Sequence, residues 1–108
     1  MFMGQSKVRI MEGSNLGSGR KTVSGINTPT QLTSTDTPCN CIYISADHTI
    51  GQPVVVGDSS VNSGAGNWRG VVLFPGNDPI LLYVDNLRDV WIASDSASAT
   101  VCFTYFTA

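Results

Sequence analysis

Between residues 37 and 106 the chain is a succession of short extended runs, each bounded by Gly, Asp, Asn or Pro. They are CysAsnCysIleTyrIleSerAla (39–46), ProValValValGly (53–57), GlyValValLeuPhe (70–74), IleLeuLeuTyrVal (80–84), ValTrpIleAlaSer (90–94) and AlaThrValCysPheThrTyrPhe (99–106). β-branched and aromatic residues fill the runs, and turn-forming residues separate them. That pattern predicts an all-β protein, a two-sheet antiparallel β-sandwich of jelly-roll or Greek-key type. Apolar residues do not recur at i, i+3, i+4 and i+7 over any useful length, so no helix longer than a single turn is expected.

Within 39–46 the period of two puts Ile42, Ile44 and Ala46 on one face and Cys39, Cys41, Tyr43 and Ser45 on the other, with the Ile face expected in the core. Pro75 and Gly76 suit the two central positions of a type II turn, because Gly supplies the positive φ. Residues 57–67 are polar and Gly-rich and read as a long loop. Asp36, Asp58, Asp78, Asp85, Asp89 and Asp95 fall at turn positions, where a carboxylate caps backbone amides.

A chain of 108 residues is one domain, and at this size it buries roughly 65% of its unfolded surface, enough for one two-layer core. Upstream of a sandwich over 21–108, residues 1–20 read as an extended arm and linker. The arm holds one alternating strand pattern, SerLysValArgIleMet (6–11), followed by GlySerAsnLeuGlySerGly (13–19), read as flexible. So short a strand needs a sheet to join, in its own domain or, the version expected here, in another subunit.

Charge is divided between arm and body. The first 21 residues carry Lys7, Arg9, Arg20 and Lys21 against Glu12, whereas the rest carries Arg69 and Arg88 against seven Asp. A basic arm on an acidic body favours docking onto a neighbouring copy or another acidic surface. Charged residues make up only 13% of the chain, so the surface is built of hydroxyls and amides that suit close packing against other proteins. The body has no basic patch for nucleic acid. No stretch has the length of a membrane span, and the first residues lack the apolar core of a secretory signal, so the chain is expected to stay in the cytosol until lysis. Three cysteines then read as reduced thiols.

Several motifs invite chemistry and fall short of it. GlySerGlyArgLysThr (17–22) has Ser14 where a phosphate-binding loop needs its first Gly, Arg20 between Gly19 and Lys21, and a strand pattern where the helix should follow. Cys39, Cys41, Cys102 and His48 are zinc ligands by type, but cysteines two apart on a strand project in parallel instead of converging. Cys41 and Cys102 could face each other if their strands were neighbours, but a disulfide between them would need an oxidising history. A triad through His48 lacks a Gly-x-Ser-x-Gly elbow. No catalytic, metal or cofactor residue is therefore assigned, and no cofactor is expected.

The two tryptophans differ in setting. Trp91 alternates with Val90 and Ile92 in a strand, while Trp68 lies between Asn67 and Arg69 in a loop. Trp and Arg dominate binding hot spots, so Trp68 and Arg69 join Lys7, Val8, Arg9 and Ile10 as expected interface residues. Two other uses stay open: a carbohydrate-binding module using Trp68, Asn67 and Asp58, and a small hydrolase, which would need a pocket with convergent polar groups.

The order ThrValSerGlyIle (22–26), ThrProThrGlnLeuThr (28–33), Ile-x-Ile-x-Ala (42–46), ValValValGlyAspSerSerVal (54–61), PheProGly (74–76), Ile-x-Leu-x-Val-x-AsnLeu (80–87), ValTrpIleAla (90–93), AlaThrVal-x-Phe-x-Tyr (99–105) resembles small β-sandwich structural proteins of tailed-bacteriophage virions. Such proteins serve as capsid decoration (cement) proteins, head fibres, and tail or fibre accessories. The resemblance spans about residues 21–106 and is one of strands and turns. It implies a non-enzymatic virion protein on the capsid surface, commonly a homotrimer, whose partners are the major capsid protein or other virion proteins, with no nucleic acid or membrane involved. A tail- or fibre-associated receptor- or carbohydrate-binding module is the alternative it implies.

Overall fold

A computed structural model describes residues 16–47, 52–64 and 67–107. They form eight strands: β1 (Leu16–Thr22), β2 (Thr30–Gln31), β3 (Cys41–Ala46), β4 (Val54–Gly57), β5 (Val71–Leu73), β6 (Ile80–Leu82), β7 (Trp91–Ala93) and β8 (Thr100–Phe106). The helical element among them is a single 3-10 turn, Leu87–Asp89. Two four-stranded antiparallel sheets result, sheet A in the order β1-β8-β3-β6 and sheet B in the order β2-β7-β4-β5.

That order has a simple origin. β1 pairs with β8, β2 with β7, β3 with β6 and β4 with β5, as in one long folded-back ribbon. The β3–β8 and β4–β7 pairings then join alternate ribbon segments into two sheets. Every connection except β4 to β5 crosses between sheets, which makes the sandwich a jelly roll. Short connections from β1 to β2 and from β5 to β6 put those edge strands together at opposite sides of the sandwich.

Alternation places the core as the sequence suggests. Ile42 and Ile44 of β3, Val101 of β8, Val54 and Val56 of β4 and Ile92 of β7 are fully buried between the sheets. The Pro75–Gly76 turn forms with Gly76 at φ 86° and Asn77 N donating to Phe74 O at 3.1 Å. Asn86 fastens the corner before β7, because its Oδ1 accepts from Arg88 N at 3.2 Å and Thr37 N at 3.0 Å.

The largest departure from the sequence reading is β1. From Leu16 onward the segment read as flexible linker is a seven-residue strand paired along its whole length with β8, and the strand expected over 21–26 ends at Thr22. The arm therefore ends, and the sandwich begins, before residue 20. Composition misleads here because Gly17 and Gly19 have a packing reason. A Cβ on Gly17 would fall 2.2 Å from the Tyr105 ring, and one on Gly19 would fall 2.8 Å from the Phe103 ring. The glycines make room for two aromatic rings of β8 to lie across β1.

Candidate functional site

The face of sheet A turned away from the core is built by the same alternation that buries Ile42 and Ile44. Its register sets Leu16 beside Phe106 and Phe106 beside Cys41, and continuing the β3–β6 pairing brings Tyr83 next to Cys41. The adjacent row runs Ser18, Thr104, Tyr43, Leu81. Tyr43 meets Phe106 edge-on with ring centroids 6.1 Å apart. Leu16 is 64%, Tyr43 44%, Leu81 38% and Tyr83 81% exposed, so one end of this face presents a run of large apolar side chains to solvent. Contiguous apolar patches of this kind mark interaction surfaces.

The other end of the face is polar. Arg20 Nη2 donates to Asp47 Oδ2 at 2.7 Å, and Nη1 lies 3.6 Å from Cys102 Sγ. Asp47 is buried, and its carboxylate favours the charged form of Arg20 and raises its pKa. A shallow open groove of about 380 Å³ lies here, bordered by Ser18, Arg20, Tyr43, Ser45, Cys102 and Thr104.

Sheet B treats its outer face differently. Val55 and Ala93 point away from the core, and Val61, from the β4–β5 connection, closes over them into a second small cluster that Val72 and Trp91 flank. Asn27 anchors that connection. Its Oδ1 accepts from Ser63 N at 2.8 Å and from Ser63 Oγ at 3.0 Å, while its own N donates to Ser94 O at 2.7 Å. Asn27 holds φ 46° to do so, a left-handed conformation that Asn tolerates better than most residues. Gly70 lets β5 pass close to β4: at φ 124°, a Cβ there would meet Val55 Cγ1 and Val56 O, each at 2.6 Å.

Lys7, Val8, Arg9 and Ile10, with the strand expected over 6–11, lie outside the described residues, as does His48. Trp68 is 39% exposed and Arg69 exposed, both in the connection leading into β5, and Arg69 pairs its backbone with Asn62. They sit at the β5 edge of sheet B, whereas β1, which continues the arm, is the opposite edge of sheet A. A groove of about 430 Å³ on sheet B gathers Gln31, Asp58, Ser59, Arg88, Asp89 and Trp91. Asp58 thus lines a groove with Trp91 rather than with Trp68.

The cysteines do not converge. β3 and β8 are neighbours, but Cys41 stands opposite Phe106 and Cys102 opposite Ser45, and all three thiols are free. Burial pushes the Cys39 thiol pKa up, and Cys39 Sγ donates to Val84 O at 3.3 Å, which marks it as a packing residue. Among the described residues no group of three His, Cys, Asp or Glu is placed to hold a metal ion, and no helix is long and apolar enough to cross a membrane.

The apolar outer face was legible in one signal that the sequence reading passed over. IleLeuLeuTyrVal (80–84) is apolar at every position, as expected of a strand covered on both faces. Fold and surface together define a small jelly-roll β-sandwich in which, among the described residues, the outer face of sheet A presents exposed apolar side chains. No family model, curated protein or solved structure matches the chain.

Proposed function

We propose that this chain is a non-enzymatic structural protein of a tailed-phage virion, a capsid decoration protein that oligomerises, as a homotrimer, at junctions between capsomers. The observation that carries the reading is the exposed patch of Leu16, Tyr43, Leu81 and Tyr83 around half-buried Phe106, in two adjacent rows of sheet A. A flat strand-built face of this kind suits packing against a second copy or the major capsid protein, because alternate side chains of adjoining strands form one continuous apolar surface. The strand-and-turn resemblance to virion proteins supports the reading, as does, by analogy, the jelly roll itself, an architecture common to viral capsid and lectin domains.

The Trp91 groove favours a second reading, a fibre-associated carbohydrate-binding module. It sets an indole beside an amide, two carboxylates and a guanidinium, the mixture of stacking surface and hydrogen-bonding groups that sugars require. Gold-labelled antibody against the body, applied to intact virions of the encoding phage, separates the two. Regular label over the head is the expected result. Label confined to fibres or tail tip would support the sugar-binding reading, and no label would refute both.

A further inference from the structure

Trp91 stands between Gln31 on β2 and Gly57 on β4, on the outer face of sheet B, and packs against the cluster of Val55, Val61 and Ala93. That packing fixes the indole while leaving it half-buried in the groove of about 430 Å³. Gln31 borders the groove from the β2 side and Asp58 and Ser59 from the β4 side, while Arg88 and Asp89 stand at the end that leads into β7. Two of these groups are held in place. Gln31 Nε2 donates to Arg88 O at 2.6 Å, and Asp58 Oδ1 accepts from Ser60 N at 2.9 Å and from Ser60 Oγ, bonds that also keep the Asp58 carboxyl ionised by lowering its pKa. The groove is thus a preformed aromatic floor with fixed polar groups around it, the arrangement in which little ordering is left to be done on binding.

We propose that this groove binds an uncharged hexopyranose of a surface glycan, stacked on Trp91 and held through its hydroxyls by Asp58, Asp89 and Gln31. A pyranose ring has a C–H face that packs on an indole and a rim of O–H groups, and carboxylates, which only accept, need those donors. Charge narrows the class further. Asp58 and Asp89 outnumber Arg88, whose guanidinium is itself drawn to Asp36 with Nη1 and Oδ1 3.7 Å apart. A sialic acid, uronic acid or sulfated sugar would set its negative charge beside two carboxylates, and a cationic ligand would meet Arg88 at the same end as Asp89, so the neutral sugar is the ligand that no fixed charge opposes.

The inference rests on the sugar-binding reading above and narrows it to a ligand class, but it does not depend on a place in the fibre. The groove lies on sheet B and the exposed apolar patch on sheet A, opposite sides of the sandwich. One chain can therefore assemble through one sheet and take a glycan on the other.

The test is an NMR titration of the full chain with the methyl glycosides of glucose, galactose, mannose and N-acetylglucosamine, with N-acetylneuraminic acid as the anionic comparison. Trp68→Phe identifies which indole N–H signal belongs to Trp91. At least one neutral glycoside is expected to move the Trp91 signal saturably at millimolar concentrations and to leave the Trp68 signal in place, while N-acetylneuraminic acid moves neither. Trp91→Ala should abolish the binding. Because Trp91 also braces the Val61 cluster, Asp89→Ala at an exposed position is measured beside it and should weaken binding about tenfold, the worth of one charge-assisted hydrogen bond. No movement of the Trp91 signal with any neutral glycoside, an equal response to N-acetylneuraminic acid, or affinity unchanged by Asp89→Ala would overturn the inference. Tyr43→Ser combined with Leu81→Ser, on the other sheet, should bind sugar as the parent does. A chain that assembles but binds no sugar would overturn this site and leave the decoration reading intact, and a monomeric chain that binds sugar would support the site and count against that reading.

Discussion

The two sheets solve one problem in opposite ways. Both carry apolar residues on the face turned away from the core, Val55 and Ala93 on sheet B and Tyr43, Leu81 and Phe106 on sheet A. Sheet B covers its own, by bringing Val61 of the β4–β5 connection down over the strands and tying that connection to Asn27. Sheet A keeps Leu16, Tyr43 and Tyr83 exposed, with no described segment laid over them. Apolar surface with an intramolecular cover is part of the fold, and apolar surface left bare is available to a partner. The contrast separates apolar residues that the fold covers from apolar residues it leaves exposed, a distinction that side-chain type alone would not make.

The comparison breaks hardest at Gly70, where β5 passes close to β4. Gly70→Ala places a Cβ against Val55 and Val56 O at a backbone angle that disfavours side chains, and it should cost about 2–4 kcal/mol, read as a lowered urea midpoint. Next comes the cover itself. Val61→Ala removes buried methyls above Val55 and Ala93 and should cost about 1–2.5 kcal/mol, with a change in Trp91 fluorescence because Trp91 flanks that cluster. On sheet A the same kind of surgery should do little to folding. In the unassembled chain, Tyr43→Ser combined with Leu81→Ser should change unfolding free energy by less than about 1 kcal/mol, because both side chains are part-exposed there.

The smallest effect is a pH dependence on the sheet B side. Ser60 Oγ and N both donate to Asp58 Oδ1, and these bonds hold the Asp58 carboxyl below its ordinary pKa. A folded-state pKa lower than the unfolded one stabilises the fold above the unfolded carboxylate value of about 3.9, and that contribution disappears as pH falls through the folded value. Asp58→Asn should therefore lower the urea midpoint slightly at pH 7, and the gap from the parent chain should close in acid. A gap that widened in acid would contradict the assignment.

Much of the fold was legible because period-two alternation is a strong signal. It put Ile42 and Ile44 inside, and Pro75–Gly76 marked its turn by backbone chemistry alone. β1 was not legible, since Gly17 and Gly19 look like linker until Tyr105 and Phe103 are seen lying across them, and those rings come from the far end of the chain. The strand order was equally hidden, because a crossing to the other sheet and a turn within one sheet use loops of similar length and composition. Of the expected interface, Trp68 and Arg69 are exposed but belong to the β5 edge, and the bare face was hinted at only by the unbroken apolar run of 80–84. Cys41 and Cys102 show why register matters more than adjacency: their strands touch, yet four positions of offset keep the thiols apart.

The central claim is that the bare face of sheet A is an assembly surface. Sedimentation velocity of the full chain and of the Tyr43→Ser, Leu81→Ser variant, at matched concentrations, tests it most directly. The parent is expected to sediment as a homotrimer with a melting temperature that rises with concentration, and the variant as a folded monomer whose melting temperature is independent of concentration. A parent that is monomeric at tens of micromolar, or a variant that assembles as well as its parent, would contradict the account.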